Sequence, residues 1–185
     1  MRRSLLLAIF PLLLTAGVVD RIAVVVGKTV ITESEILDNL RVTEFLNGEP
    51  LDFSPVKRRE AAEHLVDQQL LRNEMEAGSF AMPAAGESDA LLQKFIQQHY
   101  RSVDEYRAAL EKYGIPEAQL KQELTWQLAV MRFTDFRFPA DLSAPSDSAD
   151  RQTPTAASSV DQQLEAWLKD ARSNTRVIFT PEAFQ

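Results

Sequence analysis

The sequence contains no cysteine, which removes disulfide bridges, zinc–thiolate centres and a cysteine nucleophile together. Its six glycines are scattered, so no loop can be drawn that would cradle a phosphate, and no GxSxG elbow is present to activate a serine. The two histidines, His64 and His99, each fall inside a predicted helix at a spacing that supports neither a triad nor a metal site. Packing or solvated histidines are the simpler reading. Carboxylates are plentiful, but they alternate with Lys and Arg at surface helix positions, as solvated faces do, and no general acid and base can be picked out. The expectation is a protein that is not an enzyme and holds no cofactor and no metal.

Positive charge is also scarce, with 20 Lys and Arg against 27 Asp and Glu and a formal net charge of −7. Nucleic-acid binders draw their affinity from clustered cations, so nucleic acid is not an expected partner. The densest basic run, Lys57-Arg58-Arg59, is followed at once by Glu60 and Glu63 and reads as a solvated helix face.

One long apolar run exists, from Leu5 to Leu14, preceded by Arg2 and Arg3, interrupted by Pro11 and followed by Thr15-Ala16-Gly17. It falls short of the ~20 residues a spanning helix needs, and its layout is that of a secretory signal peptide cut after Ala16 or Gly17. An uncleaved membrane anchor is the alternative. Cleavage removes two arginines and takes the net charge from −7 to −9, and no stable membrane insertion is expected after it.

The stretch from Val18 to Glu35 organises what remains. Val18, Ile22, Val24 and Val26 fall on one face of a strand and Val19, Ala23 and Val25 on the other, the pattern of a strand covered on both sides. Gly27-Lys28 supplies a two-residue hairpin turn and Thr29-Val30-Ile31 the return strand. Thr32 and Glu35 make a capping box that starts a helix. A lone hairpin is marginal in water. The one other good strand, Thr175 to Thr180, lies at the far end, so the two ends of the chain are expected to meet.

Ile36, Leu37, Leu40 and Phe45 carry a first helix to Asn47-Gly48. Ser54-Pro55 opens a second to about Ala77, closed by Gly78, with Val56, Ala62, Leu65, Val66, Leu70 and Met75 inward and Gln68, Arg72 and Glu76 outward. Phe80 to Gly86 reads as an apolar loop, because Pro83 and Gly86 oppose a helix through it. A third helix runs from about Glu87 to Tyr100, with Leu91, Leu92, Phe95 and Ile96 on one side. A short fourth follows a Ser102/Glu105 capping box and ends at Gly114. A fifth runs from Pro116 to about Phe136, where Leu120, Leu124, Leu128 and Met131 form a core-facing stripe. Trp126, Val130 and Phe133 sit roughly opposite and need a cover.

Pro139 to Ser158 is rich in Ala, Ser, Asp, Thr and Pro and reads as a flexible linker of about 20 residues. Order returns at a Ser159/Gln162 capping box, opening a helix with the stripe Val160, Leu164, Trp167, Leu168 and Ala171, before the strand Arg176 to Phe179. The fold class is mainly α with a small β-sheet. The divisions are a signal over 1–17, a helical domain over 18–138, a linker over 139–158, and a helix and strand over 159–185 that complete the same domain.

Apolar side chains beyond what helical packing consumes are Phe80, Met82, Tyr100, Trp126, Val130 and Phe133. Methionine and aromatic groups suit surfaces that accept varied apolar partners, which makes these six the candidate polypeptide-binding residues. The competing assignment has Leu164, Trp167 and Leu168 simply cover Trp126, Val130 and Phe133.

The order of these parts is informative. VVDRIAVVVGKTVITESEI after a signal peptide, then REAAEHLVDQQLLRNE, then YGIPEAQLKQELTWQL ending in FRF, resembles the N-terminal domain of the SurA family of periplasmic chaperones. LEAWLKDARSNTRVIF is similar to the C-terminal helix and strand by which such proteins complete that domain. Typical members carry one or two parvulin prolyl-isomerase domains in between, where this chain holds only Pro139 to Ser158. The resemblance therefore implies a SurA N-terminal-like (trigger-factor C-terminal-like) peptide-binding domain without isomerase activity, located in the periplasm, with the last strand joined to the first hairpin. It further implies an ATP-independent holdase for unfolded polypeptides, outer-membrane β-barrel proteins above all. The rival readings are an envelope adaptor or structural subunit docking one folded partner and, third, a residual peptidyl-prolyl isomerase. A linker of this length also leaves open a homodimer formed by exchange of the C-terminal helix.

Overall fold

The computed structural model of the protein describes residues 20–138 and 156–185, the side chains of residues 85 and 156–159 apart. The expected signal segment, Val18, Val19 and most of the expected linker lie outside the described residues. The element order is β1 (Ile22–Val26), β2 (Thr29–Thr32), α1 (Glu33–Asn47), α2 (Pro55–Ala77), α3 (Ala85–His99), α4 (Val103–Tyr113), α5 (Glu117–Arg137), α6 (Ala156–Asn174) and β3 (Val177–Phe179), then a 3-10 turn over Pro181–Phe184.

Gly27 takes φ +62 at the first position of the hairpin turn, where a left-handed residue matches the twist of the strands. Val26 pairs with Thr29, Val25 with Val30 and Val24 with Ile31. Strand β1 is central in an antiparallel sheet of order β2-β1-β3, so the end of the chain does join the first hairpin. The Gly27 amide donates to the Arg176 carbonyl and the Thr180 amide to the Ala23 carbonyl, both at 2.8 Å. The register slips between Ile22 and Val24, and this bulge lets the consecutive residues Ala23 and Val24 both be fully buried. Among the described residues, cover on both faces is not found. Val25 is half-buried, and its cross-strand neighbours Val30 and Ile178 are exposed, so one face of the sheet carries an open row of branched side chains.

Capping follows the sequence closely in α1, where the Glu35 carboxylate accepts from the Thr32 amide at 2.7 Å and Thr32 Oγ1 from the Glu35 amide at 3.4 Å. At α4 the box is divided: Ser102 Oγ accepts from the Glu105 amide at 3.1 Å, while the Glu105 carboxylate takes the Arg101 amide at 2.9 Å. Two expected starts move. Helix α3 begins at Ala85 and takes Gly86 into its first turn, where amides lack intrahelical partners in any case; Glu87 reaches back to the Ala84 amide at 3.0 Å. Helix α6 begins at Ala156, which places Ser159 inside the helix and draws 156–158 out of the expected linker.

Three helices end in the same reversal. After α1 and α4 the left-handed residues are Gly48 and Gly114, as the sequence predicts. After α2 it is Ser79, at φ +51, while Gly78 stays at φ −82. The Ser79 amide donates to the Glu76 carbonyl at 3.0 Å and the Phe80 amide to the Met75 carbonyl at 2.8 Å, which folds Phe80 back onto the helix end.

Among the described residues the core has three clusters. The first packs the sheet on the starts of α1 and α2 around Val24, Val26, Ile36 and Val66. The second joins the end of α1 to α3, α4 and the first half of α5 around Phe45, Leu92, Tyr106 and Leu120. The third joins α2, α5 and α6, with Leu71, Met75, Trp126, Ala129 and Phe133 buried and Leu164, Trp167 and Leu168 packed on them. Three sequence assignments are corrected. Val56, in the first turn of α2, is exposed, whereas Gln68 is buried, with its amide 2.9 Å from His64 Nε2. Met131 is 54% exposed, because α5 meets α2 and α6 through Trp126, Ala129 and Phe133 instead.

Charge ties the last elements down. From α6, Arg172 donates through Nε to Asp67 at 2.6 Å and through its terminal nitrogens to the Glu63 carboxylate at 2.6 Å and the Glu63 carbonyl at 2.9 Å. The basic run on α2 is more than a solvated face: Arg58 donates to the main-chain oxygens of Ala183 and Gln185, and the Arg59 guanidinium lies 3.5 Å from the centre of the Phe179 ring. Among the described residues no helix is long and apolar enough to cross a membrane.

Candidate functional site

Helix α5 is flanked by grooves, and the differences between them follow from its two halves. Its first half stands across from β2, α1 and α2 and leaves a cleft of about 640 Å³. Its walls carry five amide side chains, Asn39 from α1, Gln68 and Gln69 from α2, Gln119 and Gln122 from α5, set among apolar groups such as Val42, Leu65 and Trp126. The edge of β2, from Thr29 to Ile31, forms one rim. At the inner end sits Trp126, with the Arg72 guanidinium 4.3 Å from its ring centre. Past Arg72 the cleft continues into a hollow lined by Met82, Pro83, Lys121 and Trp126.

On its other flank α5 meets α3. Between them runs a groove of about 310 Å³ lined by Leu91, Phe95, Leu124, Leu128 and Met131, with Lys94 and Gln98 at the margin. Leu91 and Met131 are exposed there. Ion pairs fix the two helices to each other. Lys121 reaches Asp89 at 2.9 Å, and that hydrogen bond holds the ammonium above its ordinary range. Arg132 pairs with Glu87, and its hydrogen bond holds that carboxyl below the ordinary range. A third opening, of about 410 Å³, lies where α2, α5 and α6 meet and shares Met131 and Gln127 with the α3 groove and Trp126, Gln68 and Glu123 with the amide cleft.

The six residues singled out from sequence are distributed as follows. Phe80, Trp126, Val130 and Phe133 come together in the third core cluster. Trp126 and Phe133 are buried, at 6% and 4% exposure, and Val130 is half-buried beside Leu164 and Leu168. Phe80 stands edge-on to Phe133, ring centres 5.4 Å apart. Met82 is 51% exposed on the far side of Trp126. Tyr100 is elsewhere, in the second cluster, stacked near Phe45 and 5.6 Å from Tyr106; burial, with the neighbouring Tyr113 and Glu105, pushes its phenol up. The arrangement thus has Leu164, Trp167 and Leu168 over Trp126, Val130 and Phe133, and the exposed large apolar groups that line the openings beside α3 and α5 are Met82, Leu91 and Met131.

Sequence reasoning did not find the amide cleft. Its glutamines come from three helices and look, one at a time, like ordinary outward polar positions. The β2 edge was missed because edge and centre cannot be told apart in a short branched strand. Apolar side chains and amides around one helix can hold a polypeptide through contact area and hydrogen bonding. Among the described residues no group of three or more His, Asp or Glu is placed to hold a metal ion. No protein-family model matches the chain, and no curated protein matches it.

Proposed function

We propose that the protein is an ATP-independent holdase of the cell envelope, a SurA N-terminal-like module that binds unfolded polypeptides and catalyses no reaction. The observation that carries this reading is the pair of accessible grooves along α5, one apolar with Leu91 and Met131 exposed, the other lined with amides and rimmed by a strand edge. Groups of that kind adapt to many sequences, and methionine in particular reshapes to its partner. Binding only the unfolded state is enough to oppose aggregation, and release follows mass action. Residues 1–17 would direct the chain to the periplasm, where outer-membrane β-barrel proteins in transit are the natural clients. The hairpin and terminal strand in one sheet, and α6 packed on the helical domain, support the SurA-like reading.

A second reading, an adaptor for one folded partner, draws on the open row Val25, Val30 and Ile178, a flat branched surface of the sort a preformed partner covers.

The test dilutes a urea-unfolded outer-membrane β-barrel protein into buffer with the chain lacking residues 1–17 and follows light scattering. Suppression near stoichiometric amounts, absent with an inert acidic protein, is the expected result. Undiminished aggregation overturns the holdase and favours the adaptor.

A further inference from the structure

We propose that the amide cleft reads the client's main chain, with the free edge of β2 accepting an extended segment as an added strand. The proposal rests on the holdase reading and specifies what part of the client is held.

In a two-residue hairpin the flanking pair, Val26 and Thr29, exchange hydrogen bonds, as do Val24 and Ile31 two residues on. Val30 lies between them, so its N–H and C=O point away from β1 and over the edge. The partners of β1 agree: its Ala23 carbonyl and Gly27 amide face β3, which requires Val25, opposite Val30, to face β3 as well. The next outward amide on β2, that of Thr32, is already taken by Glu35. Among the described residues Val30 is therefore the one residue of β2 that offers both an unpaired donor and an unpaired acceptor, and it lines the cleft at 43% exposure.

The cleft continues the same chemistry. Asn39, Gln119 and Gln122 make no side-chain hydrogen bond among the described residues, and each presents a donor and an acceptor on one planar group, as a peptide unit does. A strand laid on β2 would run on past these amides, with its side chains directed alternately into and out of the cleft. Charge selects among such strands. Of the carboxylates on the walls Asp38 is paired with Arg41 at 2.6 Å, which leaves Glu35 and Glu123 against Arg72, so the occupant is an extended segment that is neutral or basic. Beyond that charge, a reader of main chain makes little demand on sequence, which suits the holding of many clients.

The test uses the protein without residues 1–17 and a strand-forming peptide of about six residues, capped at both termini and carrying a lysine near each end. In the unaltered protein, hydrogen exchange of the Val30 amide is followed by NMR as peptide is added. Slowing of about tenfold or more at saturation is expected, since exchange then waits for the peptide to leave. In parallel, Val30→Pro deletes the outward N–H without touching the ladder, which an edge strand tolerates, and Val30→Thr keeps it. Peptide affinity should fall about tenfold in the first, the worth of a hydrogen bond left unmade, and little in the second.

A Val30 amide that peptide leaves unprotected overturns the proposal, whether or not the proline variant folds. So does slowing that tracks protein concentration without peptide, which would assign the edge to a second copy. Peptide protection of Val30 in a protein that fails to suppress aggregation would leave the strand site standing and remove the holdase. Suppression that is unchanged in a folded Val30→Pro variant would do the reverse.

Discussion

Arg172 of α6 donates to Asp67 of α2 at 2.6 Å across 105 positions of sequence, and the same guanidinium takes the Glu63 carboxylate. Burial alone would raise the Glu63 carboxyl, but the hydrogen bonds and charges of Arg172 and Arg59 outweigh it and hold the group below its ordinary 4.5. A carboxyl depressed by folding stabilises the fold above its unfolded pKa, and that stabilisation is lost as pH falls through the folded value. Arg172, raised first by its hydrogen bond to Asp67, stays charged throughout. The docking of α6 should therefore be steady near neutrality and weaken below pH 4.5. Tryptophan fluorescence scanned from about pH 6 to about pH 3 should shift to the red over the acid part of that range. Arg172→Met should cost about 1–2 kcal/mol in urea unfolding at neutral pH, these groups being a third exposed, and should lose the acid step. A signal flat with pH and shared by both proteins would remove the clamp from the account.

Phe133 and Met131 lie two positions apart on α5 and should respond oppositely. Phe133→Ala empties a buried site among Met75, Trp126 and Ala129, and should lower stability by about 3–4 kcal/mol in urea unfolding. Met131→Ser alters an exposed groove position. It should leave stability within about 0.5 kcal/mol and raise several-fold the amount of protein needed to suppress aggregation. If Phe133→Ala unfolded normally but held clients poorly, the aromatic line would belong to the binding surface after all.

Ser79 holds a left-handed conformation at the end of α2 that costs a residue with a side chain about 1 kcal/mol relative to glycine. Ser79→Gly should recover that amount and raise the thermal midpoint by about 2–4 °C in a calorimetric scan. A lower midpoint would mean that the hydroxyl contributes more than the backbone loses.

Much of the fold was legible because its rules act within a few residues. The hairpin turn, the Thr32 cap and the glycine reversals after α1 and α4 depend on neighbours up to a turn away and appear where their residues predict, as do the helices apart from the earlier starts of α3 and α6. Errors cluster where two local signals compete. Gly78 offered itself as the reversal, but the helix kept one more residue and left the conformation to Ser79. Gly86 looked like a breaker, yet stands in a first turn, where a break carries little cost.

The sequence by itself determined the kinds of element, their order and the excess of apolar side chains along α5. It could not determine which of those side chains face solvent, because burial is decided between segments far apart in the chain. Trp126 and Phe133 are core because Leu164, Trp167 and Leu168 arrive over them, and Met131 is exposed because α5 meets α2 and α6 through Trp126, Ala129 and Phe133 instead. The amide cleft is likewise a product of placement: its walls come from β2, α1, α2 and α5, and no local pattern brings them to one side. Periodicity fixes the face a residue occupies, and only the packing of one face on another decides what that face can bind.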